Sequence, residues 1–289
     1  MGSSQTTGGA VRAQPAVACA ALGIWLGGCS LWAKPPAQPE PIPAAIPLAP
    51  LSYTHPSWGN EAVVRITTPH VACTGTLIGD DLVLTAHHCL ARRGRLDDYL
   101  AEEVNASSIR VELGGDYLPW GEVGVRAIVA PPCGHASGVG DIAILVLDQE
   151  LTDVPTMTVV LDDIPQSGTE VEPLGFGRCS DSDEGIRRQT RQGGSIDAVL
   201  PTSFQSEAAI CPGDSGGPAV TRDARIIGVI SRSAMDGQQD TASRTEFTRV
   251  DRWEDVFANA LRISQGANPA ELPPIGGCGE GEQPASPGN

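Results

Sequence analysis

Positive charge is scarce in this chain. Lys34 is its single lysine, and 19 basic residues stand against 35 acidic ones, giving a formal charge of −16 and a pI near 4.6. That balance excludes nucleic acid and anionic membrane surfaces as partners, because both are gripped by clustered Lys and Arg that neutralise phosphate. No Cys-x-x-Cys pair occurs and the five histidines are not spaced as a zinc set, so neither a metal site nor a cofactor is expected. Beyond the first thirty residues there is no second hydrophobic run of membrane-spanning length.

What the chain has in abundance is glycine and proline, 34 and 24 residues, about a fifth of the whole where roughly 12% is usual. With 289 residues, 40% of them apolar, it can bury a large core, yet so many chain-breakers favour short strands over helices. Between Ser57 and Val250 the sequence falls into short apolar or alternating runs. They are Ala62 to Ile66, Gly75 to Ile78, Leu82 to Thr85, Ile109 to Leu113, Val123 to Val129, Ile142 to Leu147, Met157 to Leu161, Ile226 to Ile230 and Thr245 to Val250. Runs of this length and spacing predict an all-β sandwich or pair of barrels. Only Asp251 to Ile263 reads as a helix, with Asp251 as N-cap, Glu254 three residues on, and Trp253, Val256, Phe257 and Leu261 on one face. Gly266 to Asn289 is a Gly/Pro-rich tail expected to lack order apart from Cys278.

The N-terminus reads as an export signal over residues 1–28: Arg12, the apolar run Ala16 to Leu26, then Leu26-Gly27-Gly28-Cys29. Those four residues resemble a bacterial lipobox, which implies lipidation of Cys29 and a membrane-tethered, exported protein; a plain signal peptide cut nearby is the alternative. A Pro-rich linker over 29–54 would hold the domain off the membrane. Setting aside Cys19 in the signal and Cys29, six cysteines remain: Cys73, Cys89, Cys133, Cys179, Cys211 and Cys278. An even set in an oxidising compartment predicts three disulfides.

The chemistry centres on Cys211-Pro212-Gly213-Asp214-Ser215-Gly216-Gly217-Pro218. A serine between glycines sits in a turn where backbone amides can converge on a developing oxyanion, but its hydroxyl needs a base. Thr85-Ala86-His87-His88-Cys89 supplies two candidates, and on chemistry alone either histidine would serve. Gly140-Asp141-Ile142-Ala143-Ile144-Leu145 puts an acid at the mouth of a buried strand. Each piece alone has a structural explanation in turns and core packing. Their occurrence together, in the order His, Asp, Ser, does not.

Thr-Ala-x-His-Cys, Asp-Ile-Ala-x-Leu and Gly-Asp-Ser-Gly-Gly-Pro resemble the three signatures of the chymotrypsin/trypsin-like serine proteases, over a domain at 55–264. The resemblance implies two perpendicular six-stranded antiparallel β-barrels with a C-terminal helix, and an endopeptidase acting on protein or peptide substrates, expected to be monomeric. It implies His88 as the base, since the motif's histidine directly precedes the cysteine, and His87 as a bystander where a small residue is usual. Asp141 becomes the orienting acid and Ser215 the nucleophile, with Gly213 and Ser215 amides as oxyanion hole. Ser231 matches the serine that bonds the triad acid, and Ala209, Ile210, Ser231, Arg232 and Ser233 match the specificity pocket. With Ala209 at its base, that pocket is non-tryptic; it suits small apolar side chains or, through Arg232, acidic ones.

From the same resemblance Cys73 pairs with Cys89. Cys211 lacks its usual downstream partner, so Cys179 is expected instead, leaving Cys133 for Cys278. No Ile-Val-Gly-Gly-like segment precedes the domain, so Asp214 is expected to pair with an internal cation rather than a new N-terminus, with Arg178 as candidate. Two other classes compete. One is a catalytically silent, protease-like binding lipoprotein, opposed by the complete triad. The other is an α/β-hydrolase, whose Gly-x-Ser-x-Gly fits Gly213 to Gly217 but requires a following helix and the order Ser, Asp, His.

Overall fold

The computed structural model describes residues 59–278 except 97, 116–117, 136–138, 180–185 and 235–243. The export signal, Cys29, the Pro-rich linker and the tail beyond residue 278 lie outside the described residues. Eight strands come first: β1 (Val63–Thr67), β2 (Ala72–Gly79), β3 (Leu82–Thr85), β4 (Ala91–Arg93), β5 (Tyr99–Glu103), β6 (Arg110–Leu113), β7 (Gly121–Val129) and β8 (Ala143–Leu147). Six of them close into an antiparallel barrel in the order β1-β2-β3-β8-β7-β6, and β4 and β5 form a separate two-stranded hairpin.

The second barrel uses β9 (Glu170–Gly175), β10 (Gln189–Thr190), β11 (Gly194–Val199), β12 (Ser203–Ser206), β13 (Pro218–Val220), β14 (Ile226–Ala234) and β15 (Arg244–Arg249). β13 pairs with one edge of β9 and closes the ring. The other edge of β9 is shared: β10 pairs with its C-terminal end and β11 with its N-terminal end. β10 and β11 therefore act as one strand interrupted at residues 191–193, and the ring counts six. The fold is the expected pair of six-stranded antiparallel barrels.

Burial follows from the sequence pattern. All five residues of β8 are buried, as a strand flanked by β3 and β7 and covered by the helix must be. β6 alternates buried and half-buried positions, as a strand with one solvated face does. Ile66, Leu77, Leu84, Ile109, Ile144 and Leu145 are fully buried in the first barrel. In the second, Phe204 and Phe247 stack at 5.0 Å between ring centroids and pack with Ile196 and Ile230.

Three elements differ from the sequence reading. Met157 to Leu161 is an extended connector with one parallel bridge, Val159 to Ile226, because its hydrogen bonds are divided between barrels. Met157 donates to Leu77 O in the first, and Val160 donates to Ile226 O in the second. The helix, α1 (Glu254–Ser264), has its N-cap at Trp253 and not at Asp251, whose carboxylate is taken by Arg249. Its buried face is Val256, Asn259, Ala260 and Ile263, while Leu261 is 49% exposed. The third is the described part of the tail, residues 266–278, which is packed and not loose: Leu272 and Ile275 pack against the core, Asn259 Nδ2 donates to Pro273 O, and Cys133 is bonded to Cys278.

Candidate active site

The ladder between β3 and β8 pairs Thr85 with Ala143. Past the end of that ladder the chains diverge into the single turn His87–Leu90 on one side and Asp141 on the other, so the register itself brings His88 to Asp141. The imidazole Nδ1 lies 2.8 Å from Asp141 Oδ2 and 3.1 Å from Oδ1, and the His88 amide donates to Oδ1 at 2.9 Å. Ser231 on β14 donates its hydroxyl to Oδ2 from the other barrel. Both histidine and acid are buried. Burial pushes the Asp141 carboxyl up, but the His88 charge and ring hydrogen bond, with Ser231 and the His88 amide, outweigh it. Asp141 therefore stays below the ordinary carboxylate value.

Ser215 lies in the turn that leads into β13. Gly213 has φ +102° and Gly216 φ +83°, backbone conformations that side chains resist. A Cβ on Gly216 would also fall 2.2 Å from Thr85 Oγ1 and 2.3 Å from Thr74 O. Thr74 on β2 clamps this turn from the other barrel: its amide donates to Ser215 O at 2.8 Å, and its hydroxyl donates to Gly213 O at 2.8 Å while accepting from Phe176 N at 2.9 Å. Pro212 O accepts from Arg178 N at 3.0 Å, so the Gly213 N–H of that trans peptide points the opposite way. Among the described residues the amides of Gly213 and Ser215 have no protein acceptor.

Asp214 is fully buried and paired, but not with Arg178. Arg191, in the interruption between β10 and β11, donates from Nε to Oδ2 at 2.7 Å and from Nη2 to Oδ1 at 3.1 Å. Amides of Gly177 and Cys211 donate to the same carboxylate at 2.7 Å each. Arg178 is exposed, because its backbone is pinned to Pro212 while its side chain turns to the cavity beside Ser215.

His87 is buried and turned away from Asp141, its Nε2 2.7 Å from Glu103 Oε1 on β5. Its ring meets His135 edge-on at 5.4 Å, and Tyr99 meets both His88 and His135 the same way. Burial first, and the charge of His87 second, hold His135 below the usual histidine value. Cys73 is bonded to Cys89, and Cys179 to Cys211. Cys89 Sγ lies 3.9 Å from His88 Nε2 and 3.6 Å from the Ser215 carbonyl oxygen, so this sulfur neighbours both the imidazole and the serine turn. Cys73, His88 and Cys89 cluster like metal ligands, but sulfurs joined in a disulfide have no thiolate to offer.

β15 is linked to both segments that carry the five pocket candidates. Thr245 stands opposite Ser233 in the ladder and donates its hydroxyl to Ala208 O at 2.8 Å, which ties the residue before Ala209 to β15. Ile210 is buried and Ala209 half-buried. Arg232 is committed to Glu246, with contacts at 3.1 and 3.3 Å. Sequence reasoning missed Thr74, Arg191, Tyr99 and His135. Of these only Arg191 carried a signal, as an arginine followed by Gln192, Gly193 and Gly194 where a strand breaks.

The family model described as Trypsin matches residues 52–256. Trypsin delta of Drosophila melanogaster is 25% identical over 185 residues, 55% of this chain and 68% of that protein. Hypodermin-B of Hypoderma lineatum is 27% identical over 184 residues, 55% of this chain and 66% of that protein. Among solved structures, a mutant of human heparin binding protein superposes with a TM-score of 0.59 at 19% identity, covering 72% of this chain and 93% of its own. A Glu endopeptidase gives 0.57 at 17% identity, covering 72% and 91%. At these identities the solved structures speak to fold alone. With the family match running from before the first strand of one barrel into the helix that follows the other, the chain belongs to the trypsin-like serine protease family.

Proposed function

We propose that the chain is a serine endopeptidase. Ser215 Oγ attacks the substrate carbonyl, and His88 Nε2 takes the hydroxyl proton and passes it to the leaving amine. Asp141, held on both oxygens, fixes the Nδ1–H tautomer and stabilises the imidazolium. The amides of Gly213 and Ser215 receive the oxyanion. One observation carries this reading: a His–Asp pair set by strand register beside a glycine-lined serine turn in which the amides of Gly213 and Ser215 lack a protein acceptor among the described residues. The ion pair between Arg191 and Asp214 supplies internally the charge that a new N-terminus would bring, so activity needs no proteolytic cut.

The pocket at Ala209, Ile210 and Ser231 to Ser233 takes small apolar side chains; Glu246 neutralises Arg232, which weakens the acidic alternative. Export rests on the apolar run Ala16 to Leu26, and tethering on Cys29 in its lipobox-like context. The test is labelling with a fluorophosphonate probe: covalent mass on Ser215, lost in Ser215→Ala, is expected. A folded protein that takes no label would place it among silent relatives.

A further inference from the structure

Beside Ser215 lies a cavity of about 350 Å³ whose walls include Arg65, Arg93, Tyr99, Phe176 and Arg178. None of Ala209, Ile210 and Ser231 to Ser233 contributes to it, so it lies apart from the pocket assigned to the acyl side chain. Ser215 itself is on its wall, so a substrate segment on the leaving-group side of the scissile bond has this cavity within reach. Its charge opposes the chain's own: three arginines line it and no carboxylate does among the described residues, in a protein of formal charge −16.

The three arginines are not equivalent. Arg65 is bridged to Glu112 at 2.6 Å. Arg93 lies over the Tyr99 ring, its guanidinium carbon 3.5 Å from the centroid, and Tyr99 in turn meets His88 edge-on at 5.4 Å. Arg178 has no side-chain partner among the described residues, while its amide, bonded to Pro212 O, fixes its backbone next to the Gly213 turn.

We propose that this cavity is a leaving-group subsite for a carboxylate-bearing side chain, Asp or Glu, within the first two residues after the scissile bond. Arg178 is the specificity determinant and Arg93 the secondary one. The guanidinium fork matches a carboxylate, and among the described residues no internal carboxylate competes for Arg178. Because that arginine is exposed, the discrimination is the modest one of a surface ion pair, about threefold to fivefold. This proposal rests on Ser215 being the nucleophile.

Acyl transfer reads the subsite directly. Ser215 is acylated from a small peptide ester, and aspartic acid amide or its isostere asparagine amide, alone or as Ala-Asp and Ala-Asn dipeptide amides, competes with water. The amine lone pair attacks the ester carbonyl, the bond to Ser215 Oγ breaks, and Oγ recovers a proton through His88, leaving a new amide and free enzyme. Aspartyl acceptors are expected to win by about threefold to fivefold at low salt, with the ratio falling toward one at 1 M salt, where the screening length is about 3 Å. Arg178→Gln should abolish the preference and Arg178→Glu invert it toward lysyl acceptors. An acyl-enzyme that partitions equally between Asp and Asn, or a preference surviving Arg178→Gln or high salt, overturns the subsite alone. Failure to form any acyl-enzyme overturns the peptidase reading and the subsite with it.

Discussion

Arg191 and Asp214 form a buried, two-bonded ion pair one residue before Ser215, their side chains 8% and 0% exposed. The guanidinium also donates to Gly177 O and, at 2.7 Å, to Gln189 Oε1, so the pair ties together the β9 end, the broken strand and the nucleophile turn. Taking one charge away leaves the other buried and uncompensated, which costs about 3 to 5 kcal/mol. Arg191→Met is therefore expected to lose that much stability in denaturant unfolding and at least a hundredfold in the fraction of protein titratable by fluorophosphonate. Arg191→Lys should recover only part, since a lysine cannot reproduce the fork. Full activity in Arg191→Met, or activity that arises only after a proteolytic cut, would refute this assignment.

Thr74 holds the proposed oxyanion hole from the opposite barrel. Replacing its hydroxyl by a methyl, as in Thr74→Val, strands the buried Phe176 amide and the half-buried Gly213 carbonyl without that partner. Each such orphan costs about 1 to 3 kcal/mol. If the cost falls on the turn that receives the oxyanion, kcat drops about tenfold to a hundredfold with KM within about twofold. Thr74→Ser, which keeps the hydroxyl, is the control. Steady-state kinetics in which both variants are equally impaired, or Thr74→Val keeps its kcat, would remove Thr74 from catalysis.

How far the sequence could be read depended on where each residue's partner lay. β3, β8 and β15 are uninterrupted apolar or alternating runs, and their periodicity is local. His88 and Asp141 sit at the ends of two of those strands, so their meeting needed no more than the ladder between them. β9 and β13 carry Pro173 and Pro218, and β11 carries Gly194 and Asp197, compositions that read as loop; tertiary pairing overrides them. Arg178 suits Asp214 by its place after a glycine turn, but the cation that reaches it lies 23 residues from Asp214 across a strand break. Thr74 was hidden for a different reason, since a threonine in a strand is ordinary until its hydroxyl is seen bridging two backbone groups. At the helix, Asp251 fits a cap by spacing, yet Arg249 two residues earlier claims its carboxylate.

Asp141 gives a pH prediction with a definite sign. Its folded-state carboxyl lies below the unfolded value of about 3.9, so the native state is favoured by its ionisation above that pH. The contribution is lost as pH falls through the folded value. Ser231→Ala deletes one of the donors that lower it, so the acid-unfolding midpoint should move to higher pH. The His88 amide and ring still hold Asp141 in place, and at neutral pH the variant should fold and label with fluorophosphonate. An unchanged acid midpoint would show that the Ser231 hydroxyl adds nothing to the ionised state.

Cys133 and Cys278 clasp the ordered tail to the loop that leads to Asp141. The two residues are 145 positions apart, and closing so long a loop restricts the unfolded chain enough to stabilise the fold by about 3 to 5 kcal/mol. Beneath the clasp Leu272 and Ile275 cover the first core, and a side chain at Gly277 would press on the Trp253 ring. Cys278→Ser should therefore lower the unfolding free energy by that amount, with loss of the tail packing visible as faster proteolysis after residue 265. Asp141 is held by His88 and Ser231 independently of the clasp, so kcat/KM of the folded fraction should stay within about threefold of the parent, under 1 kcal/mol. A large drop in kcat/KM at full foldedness would mean instead that the clasp sets the position of Asp141, and that the loop from Cys133 belongs to the catalytic framework.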